Sequence, residues 1–279
     1  SSASTPAMFM TTVNDDVQAT ASVMVTASHL PYNRNGLKFF TPKGGLDNRD
    51  IADILDIAER GDYAYDGAAG HLATLDFMTI YSSHIADYIC QGVHADDYEH
   101  PLKGMHIVVD AGNGGGGFFE RILSQLGADT KGSQFLDPDG RFPNHIPNPE
   151  NAEAMGSVCR AVADSDADLG VIFDTDVDRS AIIGRNGEPI NRNALIALIA
   201  SVILEEHPHS TIVTDSVTSD GLADFISRKG GRHHRYRRGY KNVINEGIRL
   251  NEAGEECWLA IETSGHAALR ENYFLDDGA

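Results

Sequence analysis

The sequence has few cysteines, few cations and no long apolar run. The three cysteines are odd in number and far apart, which excludes a disulfide framework and favours free thiols in a reducing compartment; they are Cys90, Cys159 and Cys257. Lys and Arg total 22 against 41 Asp and Glu, and this net charge of −19 argues against a nucleic-acid partner or an anionic membrane. The longest apolar helix candidate, residues 194–204, falls short of the ~20 residues that a membrane span requires. We therefore expect a soluble intracellular protein.

The residues that are abundant suit a folded α/β protein. The 279 residues include 28 glycines and are 41% hydrophobic, which argues against disorder and allows two or three domains with separate cores. Residues 1–4 carry neither the basic nor the apolar region of a secretory signal, and there is no initiator Met. We expect a chain that is processed or is part of a longer protein.

One pattern recurs along the chain: a short apolar strand, a polar loop and an amphipathic helix. We predict strands at residues 22–25, 105–110, 169–173, 211–214 and 257–261. We predict helices at residues 48–60, 118–127, 153–163, 193–205, 221–229 and 241–251. This alternation predicts the α/β class with mostly parallel sheets, in which ligands bind at the carboxyl ends of strands.

Two polar, turn-rich segments divide the sequence. Residues 91–104 are acidic and are interrupted by a proline, and residues 184–193 lead through Gly and Asn into a new helix. We expect the chain to divide there into three units, at residues 1–97, 98–190 and 191–279.

The most informative motif is a carboxylate triplet directly after the apolar run at residues 169–173. Asp174, Asp176 and Asp178 alternate, so an extended segment would place all three side chains on one side. Such like charges raise one another's pKa unless a cation joins them. Hard oxygen ligands suit Mg²⁺ when some coordination sites stay open for phosphate or water. A polar turn needs only one or two Asp, so we favour a metal site.

Two other motifs compete for the same residues. An EF-hand loop is excluded, because its sixth and twelfth positions here are Arg179 and Arg185 instead of Gly and Glu. The pattern Asp-x-Asp-x-Val also fits a haloacid-dehalogenase-type phosphatase, in which Asp174 would be the nucleophile and Asp176 the acid/base. This phosphatase hypothesis stays open.

A serine follows the first predicted strand, in TASHLP at residues 26–31. Ser28, with Lys38 nearby, could be a nucleophile or a phosphate carrier, although a lone Ser is more often a cap or turn residue. A Ser-His-Asp hydrolase is disfavoured, because no Gly-x-Ser-x-Gly elbow surrounds Ser28 and His29 is poorly placed to deprotonate its immediate neighbour.

Three further segments carry candidate ligand contacts. The glycine run at residues 112–117 matches a dinucleotide fingerprint, but we interpret it as a tight strand-to-helix crossover that could touch phosphate. Residues 228–241 hold seven of the 22 Lys and Arg, which indicates either a docking surface for an anion or a solvated charge run. Residues 262–266 (ETSGH) supply donors and acceptors suited to sugar hydroxyls.

Taken in order, TASHLP, DTDVDR, RRGYK and ETSGH resemble motifs of the α-D-phosphohexomutase superfamily, which includes phosphoglucomutases and phosphomannomutases. The resemblance implies three consecutive α/β domains of that family's type with mixed, mostly parallel sheets. It implies phosphoryl transfer between the 1- and 6-positions of a hexose phosphate through a phosphoserine and a sugar 1,6-bisphosphate. It also implies that the start of the first domain and a fourth domain are missing, so that this chain alone would turn over weakly or not at all.

The resemblance implies roles for individual residues. Ser28 would be the phosphoserine and would share one Mg²⁺ with Asp174, Asp176 and Asp178. Residues beside the transferring group would be His29, Lys38 and Arg179. Sugar hydroxyls would be bound by Glu262 and Ser264 with His266 nearby, and the substrate would also be contacted by Arg237, Arg238 or Lys241.

The sequence departs from the family pattern at three positions. Leu30 stands where the family usually has Asn, and Thr175 and Val177 stand where it usually has Gly. These departures motivate a third hypothesis, a non-catalytic relative that binds a sugar phosphate or serves as a subunit of a larger assembly. The resemblance favours the cytosol or the plastid stroma. The identity of the sugar and the oligomeric state stay open.

Overall fold

The computed structural model describes residues 3–61, 63, 67 and 69–279. Within them the chain forms three sheets in succession, each accompanied by helices. No helix in these ranges is both long and apolar enough to cross a membrane. All three cysteines are free thiols.

The first sheet is small and antiparallel. Helix α1 (Thr5–Met10) precedes strands β1 (Ser22–Val25), β2 (Leu37–Thr41) and β3 (Gly44–Gly45), which pair in that order. Helices α2 (Asn48–Arg60) and α3 (Phe77–Val93) follow. Helix α2 has strong end signals: Asp47 and Asp50 form a capping box, and Gly61 ends the helix at φ 64°.

The second sheet has the order β4-β5-β6. Its elements are β4 (Ile107–Asp110), α4 (Gly117–Gln125), α5 (Ala152–Ser165), β5 (Leu169–Phe173) and β6 (Ser180–Gly184). Strands β4 and β5 are parallel, whereas β5 and β6 are antiparallel and are joined by a six-residue turn at residues 174–179. This turn contains the carboxylate triplet.

The third sheet has the order β10-β9-β7-β8. Its elements are α6 (Arg192–Glu206), β7 (Thr211–Asp215), α7 (Asp220–Arg228), β8 (Arg232–Tyr236), α8 (Tyr240–Glu252), β9 (Cys257–Ile261) and β10 (Ala267–Leu269). Strand β7 is parallel to both β8 and β9, and β10 runs antiparallel to β9. A 3₁₀ turn (Arg270–Asn272) follows.

One hydrophobic core extends from α1 to β5 and thereby determines which loops meet. Met10 of α1, Tyr81 of α3, Phe118 of α4 and Phe173 of β5 are all nearly inaccessible and belong to the same cluster. Tyr81 also donates a hydrogen bond of 2.7 Å to Asp277, near the end of the chain. The start of α1 and the last residues are therefore held against the turn that follows β5.

All eleven predicted elements exist, and each end lies within two residues of its predicted position. The α/β class and the mixed sheets are confirmed. Parallel pairing joins β4 to β5 and β7 to both β8 and β9, whereas β6 and β10 return as antiparallel edges and the first sheet is antiparallel throughout. The division at residues 97 and 190 stays a prediction.

The sequence did not predict α1, α3, β2, β3, β6, β8 or β10. The clearest reason is visible at β8, whose residues 232–236 read RHHRY and show no apolar alternation that would indicate a strand. Strand β8 pairs through its backbone with β7, so it can form without an apolar alternation of its own side chains.

Candidate functional site

The three carboxylates of residues 174–179 converge in the interior. Asp174, Asp176 and Asp178 are 0%, 1% and 4% exposed, and their candidate ligand oxygens lie within 4.8 Å of one another. The predicted convergence is therefore present, but its predicted cause was wrong. The segment is a turn closed by the bond from Asp174 N–H to the Arg179 carbonyl at 3.1 Å, not an extended strand.

Three separate parts of the chain hold this turn by its backbone. Successive carbonyls accept hydrogen bonds from distant N–H groups: Thr175 from Gly115 at 2.7 Å, Asp176 from Thr5 at 2.8 Å, and Val177 from Gly278 at 3.0 Å. A Cβ on Gly114 would lie 2.8 Å from the Thr175 backbone, so the glycine run is needed for this close approach. The run thus supports the acidic turn, and its Gly115 N–H is used there.

Two cations neutralise part of the acidic cluster. Arg179 donates to Asp174 through its backbone N–H and Nε, both at 3.2 Å, and its Nη2 lies 3.1 Å from the same carboxylate. Lys38 Nζ lies 2.7 Å from Asp176 Oδ2 and 2.6 Å from Asp178 Oδ2. Lys38 and Arg179 therefore both belong to the cluster, although they are 141 positions apart in the sequence.

The pKa values of the cluster reflect this uneven neutralisation. Burial, followed by the charges of Asp178 and Asp176, raises the pKa of Asp174 well above its ordinary value. Burial also acts to raise the pKa of Asp178, but Lys38 and His266 more than offset it, so the pKa is lowered. Burial acts against the charge on Lys38, yet the two carboxylates raise its pKa overall.

Ser28 lies against the cluster at the end of β1. Its Oγ is 3.5 Å from Asp174 Oδ2 and 3.3 Å from His29 Nδ1, and its backbone has a left-handed φ of 51°. Arg179 Nη2 lies 3.3 Å from the same His29 nitrogen. Burial and then the charge of Arg179 lower the pKa of His29. The structure therefore brings Ser28, His29, Lys38 and Arg179 together around the triplet.

The loop after β9 approaches the cluster from the third sheet. Glu262 accepts from Gly239 N–H at 2.6 Å and from Ser264 Oγ at 2.8 Å. His266 Nδ1 lies 2.8 Å from Asp276 Oδ2, and these two residues form a second close group with Asp178. Glu262, Ser264 and His266 thus lie on one side of the site.

Asp276 is a site residue that the sequence did not predict. Burial raises its pKa to about 7, against the opposing charge of His266. Asp276 Oδ1 is buried and has no hydrogen-bond partner within the described part of the chain. The Asp-Asp-Gly sequence at residues 276–278 is the only local signal that could have indicated it.

The basic segment at residues 228–241 is mostly paired locally. Arg235 contacts Asp220 at 2.7 Å, and His234 contacts Glu246 at 3.0 Å, so β8 is tied to the helices beside it. Lys241 Nζ donates to the Leu46 carbonyl at 2.6 Å and links α8 to the segment after β3. Among the described residues, Lys241 makes no ion pair with the three carboxylates of the acidic cluster.

Arg237 and Arg238 are exposed at the carboxyl end of β8. They directly precede Gly239, whose N–H binds Glu262. The guanidinium of Arg237 lies 5.8 Å from the ring centroid of Tyr236. These two side chains are the members of the basic segment that adjoin the ETSGH loop.

The donor set fits a hard divalent cation. Three carboxylates and the Ser28 hydroxyl offer oxygen atoms only, as Mg²⁺ prefers. Asp176 Oδ1 is buried without a hydrogen-bond partner in the described ranges, which is the orphaned acceptor expected at a cation site. Residues that the sequence did not predict support this arrangement: Thr5 through Asp176, and Asn148 and Glu150 through Arg179.

Three family models match the chain in succession. Their descriptions are phosphoglucomutase/phosphomannomutase, alpha/beta/alpha domain I at residues 2–64, domain II at residues 81–187 and domain III at residues 191–279. A phosphoglucomutase of Neisseria meningitidis is 29% identical over 276 residues, covering 98% of this chain and 56% of that protein. A phosphomannomutase/phosphoglucomutase of Pseudomonas aeruginosa is 30% identical over 264 residues, covering 94% of this chain and 53% of that protein.

A solved structure agrees with these matches. A phosphoglucomutase/phosphomannomutase family protein from Burkholderia thailandensis superposes with a TM-score of 0.84 at 26% identity, covering 99% of this chain and 58% of that one. The chain spans about half the length of the curated relatives it matches.

Proposed function

The chain belongs to the phosphoglucomutase/phosphomannomutase family, and from that premise we propose that it carries the phosphoryl-transfer centre of a hexose-phosphate mutase. The phosphoryl group would move between the 1- and 6-positions of the sugar through Ser28 and a sugar 1,6-bisphosphate. The supporting observation is the approach of Ser28 Oγ to within 3.5 Å of Asp174, across 146 sequence positions. A serine that served only as a helix cap or turn residue would not need to lie beside a buried carboxylate cluster.

Asp174, Asp176, Asp178 and Ser28 would hold one Mg²⁺. When bound, the ion supplies neutralisation of the charge on the phosphoryl group. Without a cation, Asp176 Oδ1 stays a buried acceptor with no partner among the described residues, which is a costly arrangement. The unpaired oxygen therefore supports the proposed metal set.

The neighbouring side chains would position charge. Two carboxylates keep Lys38 protonated, so it would act as a cation beside the phosphoryl group and not as a base in this state. Burial lowers the pKa of His29, which favours the neutral ring. Its Nδ1 lies 3.3 Å from Ser28 Oγ, contrary to the expectation that an immediate neighbour is poorly placed, so His29 would accept the Ser28 proton. Arg179 holds both Asp174 and His29 in place.

Sugar binding would take place at the ETSGH loop. Each oxygen of Glu262 already accepts one hydrogen bond and keeps a lone pair for a sugar hydroxyl, and Ser264 can also accept. His266 would lie nearby, held by Asp276. Lys241 is engaged by Leu46, so we favour Arg237 and Arg238 for the contact with the substrate phosphate.

The phosphatase hypothesis loses its support. It requires Asp174 as an accessible nucleophile, but this carboxylate is 0% exposed and lies under three donors of Arg179. The family membership favours the serine route as well.

The test is intact-mass analysis of the full-length protein after incubation with glucose 1,6-bisphosphate and Mg²⁺. The expected result is one added phosphate, located on Ser28 by peptide mapping and absent in Ser28→Ala. Ser227→Ala, an exposed serine on α7, serves as the matched control and should be labelled normally. Absence of any phosphate on Ser28 overturns the proposal. Labelling without turnover of hexose phosphate would instead favour the non-catalytic hypothesis.

A further inference from the structure

Among the three segments that hold the acidic turn, Thr5 is distinguished by a double contact. Its N–H donates to the Asp176 carbonyl at 2.8 Å, and its Oγ1 donates to Asp176 Oδ2 at 2.5 Å. Gly115 and Gly278 have no side chain and contact only the backbone of the turn. Thr5 is therefore the only one of the three that can influence the orientation of a carboxylate.

Thr5 is itself held rigidly. It is the first residue of α1, where Ser4 caps the helix by accepting from Ala7 N–H at 3.2 Å and Pro6 presets the first turn. Ala7 and Met10 are buried in the core shared with β5. Because β5 ends immediately before the acidic turn, the packing that fixes α1 also fixes the distance from Thr5 to Asp176.

The two carboxylate oxygens of Asp176 therefore differ in their hydrogen-bond partners. Oδ2 accepts from both Thr5 Oγ1 and Lys38 Nζ, whereas Oδ1 is buried without a hydrogen-bond partner in the described ranges. A carboxylate can rotate about its terminal bond, and two directed donors on one oxygen restrict that rotation. The hydroxyl of Thr5 thus selects which oxygen is left free.

We propose that Thr5 is a positioning residue for a divalent cation, and that its hydroxyl holds Asp176 Oδ2 so that Oδ1 serves as the ligand atom. The inference rests on the metal site of the proposed function and assigns to it a residue from the first unit, 171 positions from Asp176. Hydrogen-bond partners of ligating carboxylates typically change metal affinity 10- to 100-fold when they are removed. Thr5 therefore couples the affinity of the cation site to the packing of α1.

The test is calorimetric titration of Mn²⁺ and Mg²⁺ into the full-length protein, without sugar phosphate. Thr5→Val keeps the shape and the N–H contact but removes the hydroxyl, and it should weaken the affinity about 10-fold. Thr5→Ser restores a hydroxyl and should stay within about twofold of the unsubstituted protein. Thr12→Val is the matched control, because Thr5 and Thr12 are both 4% exposed and Thr12 donates only to the Phe9 carbonyl.

The outcomes separate this inference from the proposal on which it rests. If the unsubstituted protein binds neither ion, the metal site of the proposed function fails and the inference fails with it. If that protein binds and Thr5→Val binds equally well, only the inference is overturned. Should Thr5→Val not fold, Thr5→Ala replaces it, since alanine also removes the hydroxyl and keeps the backbone N–H contact. Unchanged affinity in Thr5→Ala overturns the inference in the same way.

Discussion

The ammonium of Lys38 lies 2.6 Å from Oδ2 of Asp178 and joins the first sheet to the acidic turn of the second. The same nitrogen contacts Asp176, so one side chain neutralises two carboxylates that are almost completely buried. Removing a partner of a buried ion pair leaves an unpaired charge, which is more costly than losing an exposed pair.

Lys38→Met should therefore destabilise the protein, and more so when divalent cations are absent. We expect a loss of about 2 kcal/mol in EDTA, below the usual cost for a fully buried pair because the Lys38 side chain is 29% exposed. Thermal unfolding with and without Mg²⁺ measures this difference, and Lys38→Arg should retain most of the stability. An equal loss of stability in EDTA and in Mg²⁺ would contradict the expectation that Lys38 and the cation neutralise the same two carboxylates.

At Val177, substitution by glycine should destabilise the protein less than substitution by alanine, which is the opposite of the usual order. It is fully buried with φ at 66°, a left-handed conformation that is strained for a β-branched residue. Val177→Ala and Val177→Gly both leave a cavity, but only glycine relieves the backbone. We expect the glycine variant to be the more stable by about 1 kcal/mol in urea unfolding. At Val171 in β5, which does not have a positive φ, glycine should instead be the less stable by about the same amount.

The buried His145–Asp110 pair should make stability depend on pH. Burial acts to lower the pKa of His145, but the hydrogen bonds and charge of Asp110 raise it above the ordinary value of 6.5. His145 therefore stabilises the fold fully below pH 6.5, and this contribution is lost as the pH rises through its folded pKa. Urea unfolding of His145→Gln should show a larger loss at pH 6 than at pH 8.5. A loss that does not change with pH would exclude a protonated His145.

The glycine run should tolerate little bulk beside the acidic turn. A Cβ at Gly114 would meet the Thr175 backbone at 2.8 Å, whereas a Cβ at Gly140 would meet nothing within 4 Å. Gly114→Ala should destabilise the protein by about 1–3 kcal/mol and weaken Mg²⁺ binding, since overpacking would move the turn. Gly140→Ala should leave both quantities unchanged. Urea unfolding and calorimetric titration provide the comparison.

The exposed arginines should affect the substrate, and Lys241 should not. Arg237→Gln and Arg238→Gln remove cations that adjoin the Glu262 loop, so we expect KM for hexose phosphate to rise about 10-fold in at least one of them. Lys241→Gln should lower stability slightly with KM unchanged, because Lys241 donates to Leu46. Steady-state kinetics of the full-length protein distinguish the two classes, and a raised KM in Lys241→Gln alone would contradict this assignment.

Local patterns explain why so many elements could be predicted. Apolar spacing and end signals such as the Asp47 capping box act within a few residues, so the sequence itself reports them. The edge strand β8 was missed because its pairing comes from the backbone of β7 and not from its own basic side chains. The Gly run was correctly interpreted as a crossover, but its contact with Thr175 has no local signal.

The sequence alone supplied the motifs of the protein, which are a triplet of carboxylates, a serine loop, a basic segment and the ETSGH loop, in an order that resembles one family. Only the tertiary structure decided that the triplet lies in a turn, that Lys241 binds the Leu46 carbonyl and that Thr5, Asp276 and Gly278 contact the site. The reason is physical. Residue types and short-range periodicity can be recognised within a few neighbouring residues. Contacts across more than 100 positions form only when the core shared by α1 and β5 packs.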